Sequence, residues 1–90
     1  MNYGKAIKEI RESKDLRTTF LALELGISLN DYKVIESNKK ISKEDLKNIA
    51  LVLDVPESFI NFYALEKEDI KEDKLKLYNA ISDKLKDLMI

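Results

Sequence analysis

The chain has 90 residues, 44% apolar and 37% charged, and its 16 Lys and Arg against 17 Asp and Glu leave a formal net charge of −1. That length suits one small domain with little core to spare, and two glycines and one proline leave few helix breakers. The absence of cysteine excludes a disulfide framework and thiolate chemistry and points to a reducing, cytoplasmic location. No apolar run nears the ~18 residues of a membrane span, and the charged start MNYGKAIKEIRESK is not a signal peptide.

The charge is unevenly spread. Residues 1–40 carry eight Lys and Arg against six Asp and Glu, whereas residues 41–65 carry two against four and residues 66–90 six against seven. Any attraction to a polyanion is therefore centred on the first half of the chain and is weak unless the cations share a face.

A first helix is predicted over residues 3–14, with Ile7 and Ile10 on one face and Lys5, Lys8, Glu9 and Glu12 in water. Asp15 and Leu16 form a joint. A second helix, residues 18–25, turns Leu21, Ala22 and Leu25 inward and ends at Gly26, which accepts a positive φ. Ser28 suits the N-cap of a third helix to residue 37, with Tyr32 and Ile35 facing the core and Asp31 at N3 favouring the helix dipole. Asn38 is suited to end that helix in a left-handed cap. Ser42, with Asp45 three residues on, opens a fourth helix lined inside by Leu46, Ile49, Ala50 and Leu53. Pro56 fits the first turn of a fifth helix, residues 56–63, carrying Phe59, Ile60 and Tyr63.

Glu66 to Asp73 is a charge-rich joint. Beyond it, residues 72–90 read as an amphipathic helix, with Tyr78, Ile81, Leu85 and Leu88 spaced by three and four. The division expected is a domain over residues 1–65 and a packing or dimerising helix over 66–90. No internal repeat or low-complexity tract is evident.

The run LRTTFLALELGISLNDYKVIESNKK, residues 16–40, is two short helices around a tight glycine turn. With GKAIKEIRESKDL before it and LKNIALVLDVPESFI after it, the chain from about Tyr3 to Leu65 resembles the phage repressor and Cro (XRE-type) helix-turn-helix family. The resemblance implies an all-α fold: a five-helix repressor-like domain, with the C-terminal amphipathic helix as an addition. It also implies a structural ion pair between Arg11 and Glu36, locking the first helix to the third.

In that family the second helix crosses the DNA backbone and the third lies in the major groove. The resemblance therefore implies base reading by Leu29, Asn30, Lys33 and Val34 and phosphate contacts by Arg17, Thr18, Ser37, Lys39 and Lys40. Thr18 stands where the family often has glutamine. Of the reading residues only Asn30 and Lys33 can hydrogen-bond to bases, Asn30 bidentately to adenine; Leu29 and Val34 can touch only thymine methyls. Phe20 and Leu23 are apolar where the family is usually polar. They suggest cover by another surface, as does the stripe of Tyr78, Ile81, Leu85 and Leu88.

The function implied is a sequence-specific DNA-binding transcriptional regulator, a homodimer on a palindromic operator with half-sites about 34 Å apart. The alternative is a protein-interaction module on the same fold, binding a repressor or other protein through Phe20, Leu23 and the C-terminal stripe. Enzymatic function is not expected: without histidine or cysteine the chain lacks the commonest general base, thiol nucleophile and metal ligands, and no cofactor or metal site is evident. Runs such as KEDIKEDK match solvated helix faces. GKAIKE lacks the remaining residues of a phosphate loop. Tyr32 and Tyr63 are spaced for the core rather than for stacking on single strands. The mixed charges flanking the C-terminal stripe do not suit a membrane surface.

Overall fold

The computed structural model of the protein describes residues 1–69 and 79–84. Five helices follow in order: α1 Tyr3–Ser13, α2 Thr18–Leu25, α3 Leu29–Ser37, α4 Lys43–Leu53 and α5 Glu57–Ala64, with a 3-10 turn at Lys67–Asp69. Residues 79–84 are helical, and no strand occurs among the described residues. The fold is all-α, as expected.

Local chemistry accounts for most of the boundaries. Ser28 and Ser42 cap α3 and α4, their hydroxyls accepting the N–H of Asp31 at 3.0 Å and of Asp45 at 3.1 Å. Asn2 does the same for α1, accepting the Lys5 N–H at 3.1 Å. Three helices end in Schellman motifs, each with one residue in the left-handed region: Asp15 (φ 57°), Gly26 (φ 69°) and Asp54 (φ 57°). Their closing bonds run from Leu16 N–H to Arg11 O, Ile27 N–H to Ala22 O and Val55 N–H to Ala50 O, each at 3.1 Å.

Two boundaries differ from expectation. Asn38 does end α3, but at φ −102° and ψ 144° it is extended rather than left-handed. Its carbonyl is needed elsewhere: it accepts the Gly4 N–H at 2.9 Å, while Lys39 O accepts the Tyr3 N–H at 2.9 Å. Two orphan donors at the start of α1 are thereby satisfied by the chain leaving α3. Pro56 is the N-cap of α5 rather than a residue of its first turn, its ψ of 149° still extended.

The core gathers one face of each of α1 to α5. Ile7 and Ile10 of α1, Leu21 of α2, Tyr32 of α3, Ile49 and Leu53 of α4 and Ile60 of α5 are all essentially without solvent exposure. Burying a side chain of this size contributes about 1.5–3 kcal/mol each. At the far end, Tyr3 Oη donates to Asn61 Oδ1 at 2.7 Å and Asn2 N–H donates to Ala64 O at 2.7 Å, tying α1 to α5. No helix among the described residues is long and apolar enough to cross a membrane.

Candidate nucleic-acid interface

The turn at Gly26 and Ile27 sets α2 and α3 against each other in helix-turn-helix form, and both pack on the rest of the core. α2 begins without a side-chain cap: Arg17 is its extended N-cap and makes no capping bond. Neither the Thr18 nor the Thr19 N–H has an acceptor among the described residues. These donors, the positive end of the helix dipole and the exposed Arg17 make the start of α2 receptive to an anion.

On α3, Asn30, Asp31 and Lys33 are exposed, Val34 is 56% exposed and Leu29 is half-buried. Asn30 and Lys33 are therefore free to reach a groove. Asp31 sets a negative charge beside them, in the first turn of α3. Ser37 is exposed, but its hydroxyl donates to Val34 O at 2.7 Å, a bond it must give up to donate to a phosphate. Lys40 is exposed and makes no ion pair among the described residues. Lys39 is also exposed, yet its Nζ lies 3.9 Å from Glu66 Oε1. Glu66 belongs to an acidic corner in which the Met1 α-amino group lies 2.6 Å from Asp69 Oδ2 and 3.4 Å from Glu66 Oε1. That amine holds the Asp69 carboxyl below its ordinary range, chiefly by donating to it.

Arg11 joins the two halves of this surface. Its Nε and Nη2 donate to the two carboxylate oxygens of Glu36 at 2.7 and 3.2 Å, and its Nη1 donates to Leu16 O at 2.8 Å. Both charged side chains are nearly buried. The Glu36 hydrogen bond, the largest cause, raises the arginine pKa above its ordinary value. The Tyr32 hydroxyl donates to Glu36 Oε2 at 2.5 Å. Sequence reasoning missed Tyr32, placing it only in the core. Its i, i+4 spacing to Glu36 was the available signal. The open N–H groups of Thr18 and Thr19, and the approach of Lys39 to Glu66, were also missed.

Phe20 and Leu23 are exposed, at 41% and 77%, and share one shallow groove with Asp15, Leu16, Arg17 and Thr19. Ile81 is exposed as well. Tyr78, Leu85 and Leu88 lie outside the described residues. No group of acidic residues among the described ones is arranged to hold a metal ion.

The helix-turn-helix family matches the chain over residues 7–60, which takes in α2 and α3 whole and the Arg11–Glu36 pair. No curated protein and no solved structure gives a significant match. A match over more than half of the chain supports a DNA-binding regulator. With the geometry of α2 and α3 it makes the protein a member of the XRE-type, Cro- and repressor-like, helix-turn-helix family.

Proposed function

We propose that the protein is a sequence-specific transcriptional regulator that binds duplex DNA as a homodimer on a palindromic operator. The observation that carries this reading is that one helix-turn-helix unit has both an uncapped α2 start and, on α3, the exposed Asn30 and Lys33, in a chain of a DNA-binding family. Asn30 and Lys33 are the base-reading residues, with Leu29 and Val34 against thymine methyls. Arg17, Thr18 and Lys40 contact phosphates, joined by Ser37 and Lys39 once each leaves its present partner. Phe20, Leu23 and Ile81 are exposed apolar residues suited to a contact between copies. The sequence stripe of Tyr78, Ile81, Leu85 and Leu88 is assigned to the same contact by its spacing. Neither catalysis nor a cofactor is part of this reading.

The test is selection from a pool of random duplex DNA at two salt concentrations. Enrichment of a palindrome with half-sites about one helical turn apart, weakening with salt, is the expected result. One observation favours a second reading, a protein-interaction module: Val34 and Leu23 are 56% and 77% exposed on the two helices concerned. A dimer that enriches no sequence at low salt rejects the operator reading in its favour.

A further inference from the structure

We infer that Tyr32 is a positioning residue of the DNA interface: its buried hydroxyl fixes the Glu36 carboxylate, through which Arg11 sets the start of α2 against α3. The inference rests on the DNA-binding reading above.

The argument follows a chain of bonds. Tyr32 has no solvent exposure, so its hydroxyl needs a partner within the protein. Glu36 Oε2 is that partner, and it is also the acceptor of Arg11 Nε. With Arg11 Nη2 on Oε1, the carboxylate is held on both oxygens by donors from two helices. That leaves Arg11 Nη1 directed at Leu16 O, the carbonyl just before the N-cap of α2. A carboxylate held by one donor fewer is freer to turn, and the guanidinium that follows it then loosens its hold on Leu16. Arg17 and the open N–H groups of Thr18 and Thr19 come next in sequence. Their distance from the reading face of α3 is thus set through a hydroxyl that never meets DNA.

The test compares wild type, Tyr32→Phe and Ile10→Val as full chains. Ile10→Val thins the same core and leaves the hydroxyl in place, so it controls for stability alone. The DNA probe is random-sequence duplex over a salt series, because phosphate geometry is read without an operator. Tyr32→Phe is expected to weaken binding roughly five-fold and make the salt slope shallower by about one, as loss of one phosphate contact does. Ile10→Val should leave both unchanged. A second readout needs no DNA: the chain has two arginines, so the Arg11 Nε–H is identifiable by NMR in 15N-labelled protein. Its protection from exchange should fall in Tyr32→Phe and persist in Ile10→Val. Wild-type affinity and slope in Tyr32→Phe, or an undisturbed Arg11 signal, would overturn the inference while the DNA-binding reading stands. Failure of wild type to bind any duplex would overturn that reading, and this inference with it.

Discussion

Gly4 lies directly beneath Asn38: its N–H donates to the Asn38 carbonyl at 2.9 Å, and a Cβ on Gly4 would collide with the backbone oxygens of Asn38 and Glu36. Both obstacles are backbone, so neither can swing away as a flexible side chain would. α1 can approach the end of α3 this closely only where no side chain intervenes.

Gly4→Ala is accordingly expected to destabilise the fold by about 1–3 kcal/mol, the usual cost of overpacking, despite the better helix propensity of alanine. Urea unfolding followed by circular dichroism checks this. A variant as stable as wild type would show that the two helices can part without cost.

Arg11 and Glu36 form an ion pair whose side chains are only 11% and 10% exposed. Arg11→Ala or Glu36→Ala strands a nearly buried charge and should cost about 3–5 kcal/mol. Arg11→Met with Glu36→Leu removes both charges but orphans the Tyr32 hydroxyl. Adding Tyr32→Phe should therefore recover stability relative to that double variant. Denaturant midpoints across the set measure the ordering; equal losses in the single and triple variants would contradict it.

The helices were legible because most of their ends are governed by neighbours in sequence. Ser28 and Ser42 cap bonds three residues away, and Gly26 needs only its own freedom of φ. Asn38 was misread because its conformation answers to Gly4, 34 positions earlier, whose N–H claims its carbonyl. Asp15 and Asp54 carried too slight a left-handed preference to be singled out. Arg11 and Glu36 came from family resemblance, whereas the hydroxyl of Tyr32 acquires its meaning only once the ring is buried. The approach of Lys39 to Glu66 joins distant segments and left no local signal.

Asp54 ends α4 at φ 57° with an exposed side chain and no Cβ-free residue to relieve the strain. Its charge also opposes the negative end of the helix dipole. Asp54→Gly is expected to stabilise the protein by about 0.5–1 kcal/mol, and Asp54→Asn by less, since it removes the charge and keeps the Cβ. Thermal unfolding at two ionic strengths separates the contributions, because only the charge component fades with salt.

Burial, followed by the hydrogen bond to Glu36, pushes the Tyr32 phenol well above its ordinary value of 10.0. The unfolded chain ionises this group near pH 10, while the folded protein keeps it protonated. The folded state therefore binds more protons above pH 10, and this contribution to stability, complete below pH 10, is lost as pH rises. The expected slope is about 1.4 kcal/mol per pH unit for one tyrosine. Tyr63 is raised as well, mainly by burial, so the total slope is not that of Tyr32 alone. Comparing urea unfolding of wild type and Tyr32→Phe between about pH 9 and 11 isolates its share. Parallel pH profiles would exclude it.

The DNA-facing residues should separate by kind. Asn30→Ala is expected to relax preference at one base pair by about 1–3 kcal/mol and leave other positions alone. Lys40→Ala should weaken all sequences equally and make the salt slope shallower by about one. Lys39→Ala should do less, because Lys39 must first leave Glu66, 3.9 Å away, to reach a phosphate. Glu66→Gln removes that competitor, and in its background the Lys39→Ala loss should grow toward that of Lys40→Ala. The pair is exposed at Lys39, so the gain is small and screened by salt. Binding isotherms at low salt for Lys40→Ala, Lys39→Ala, Glu66→Gln and the Lys39→Ala, Glu66→Gln double variant resolve it. A Lys39→Ala loss unchanged by Glu66→Gln would mean that Glu66 does not compete with phosphate for this lysine.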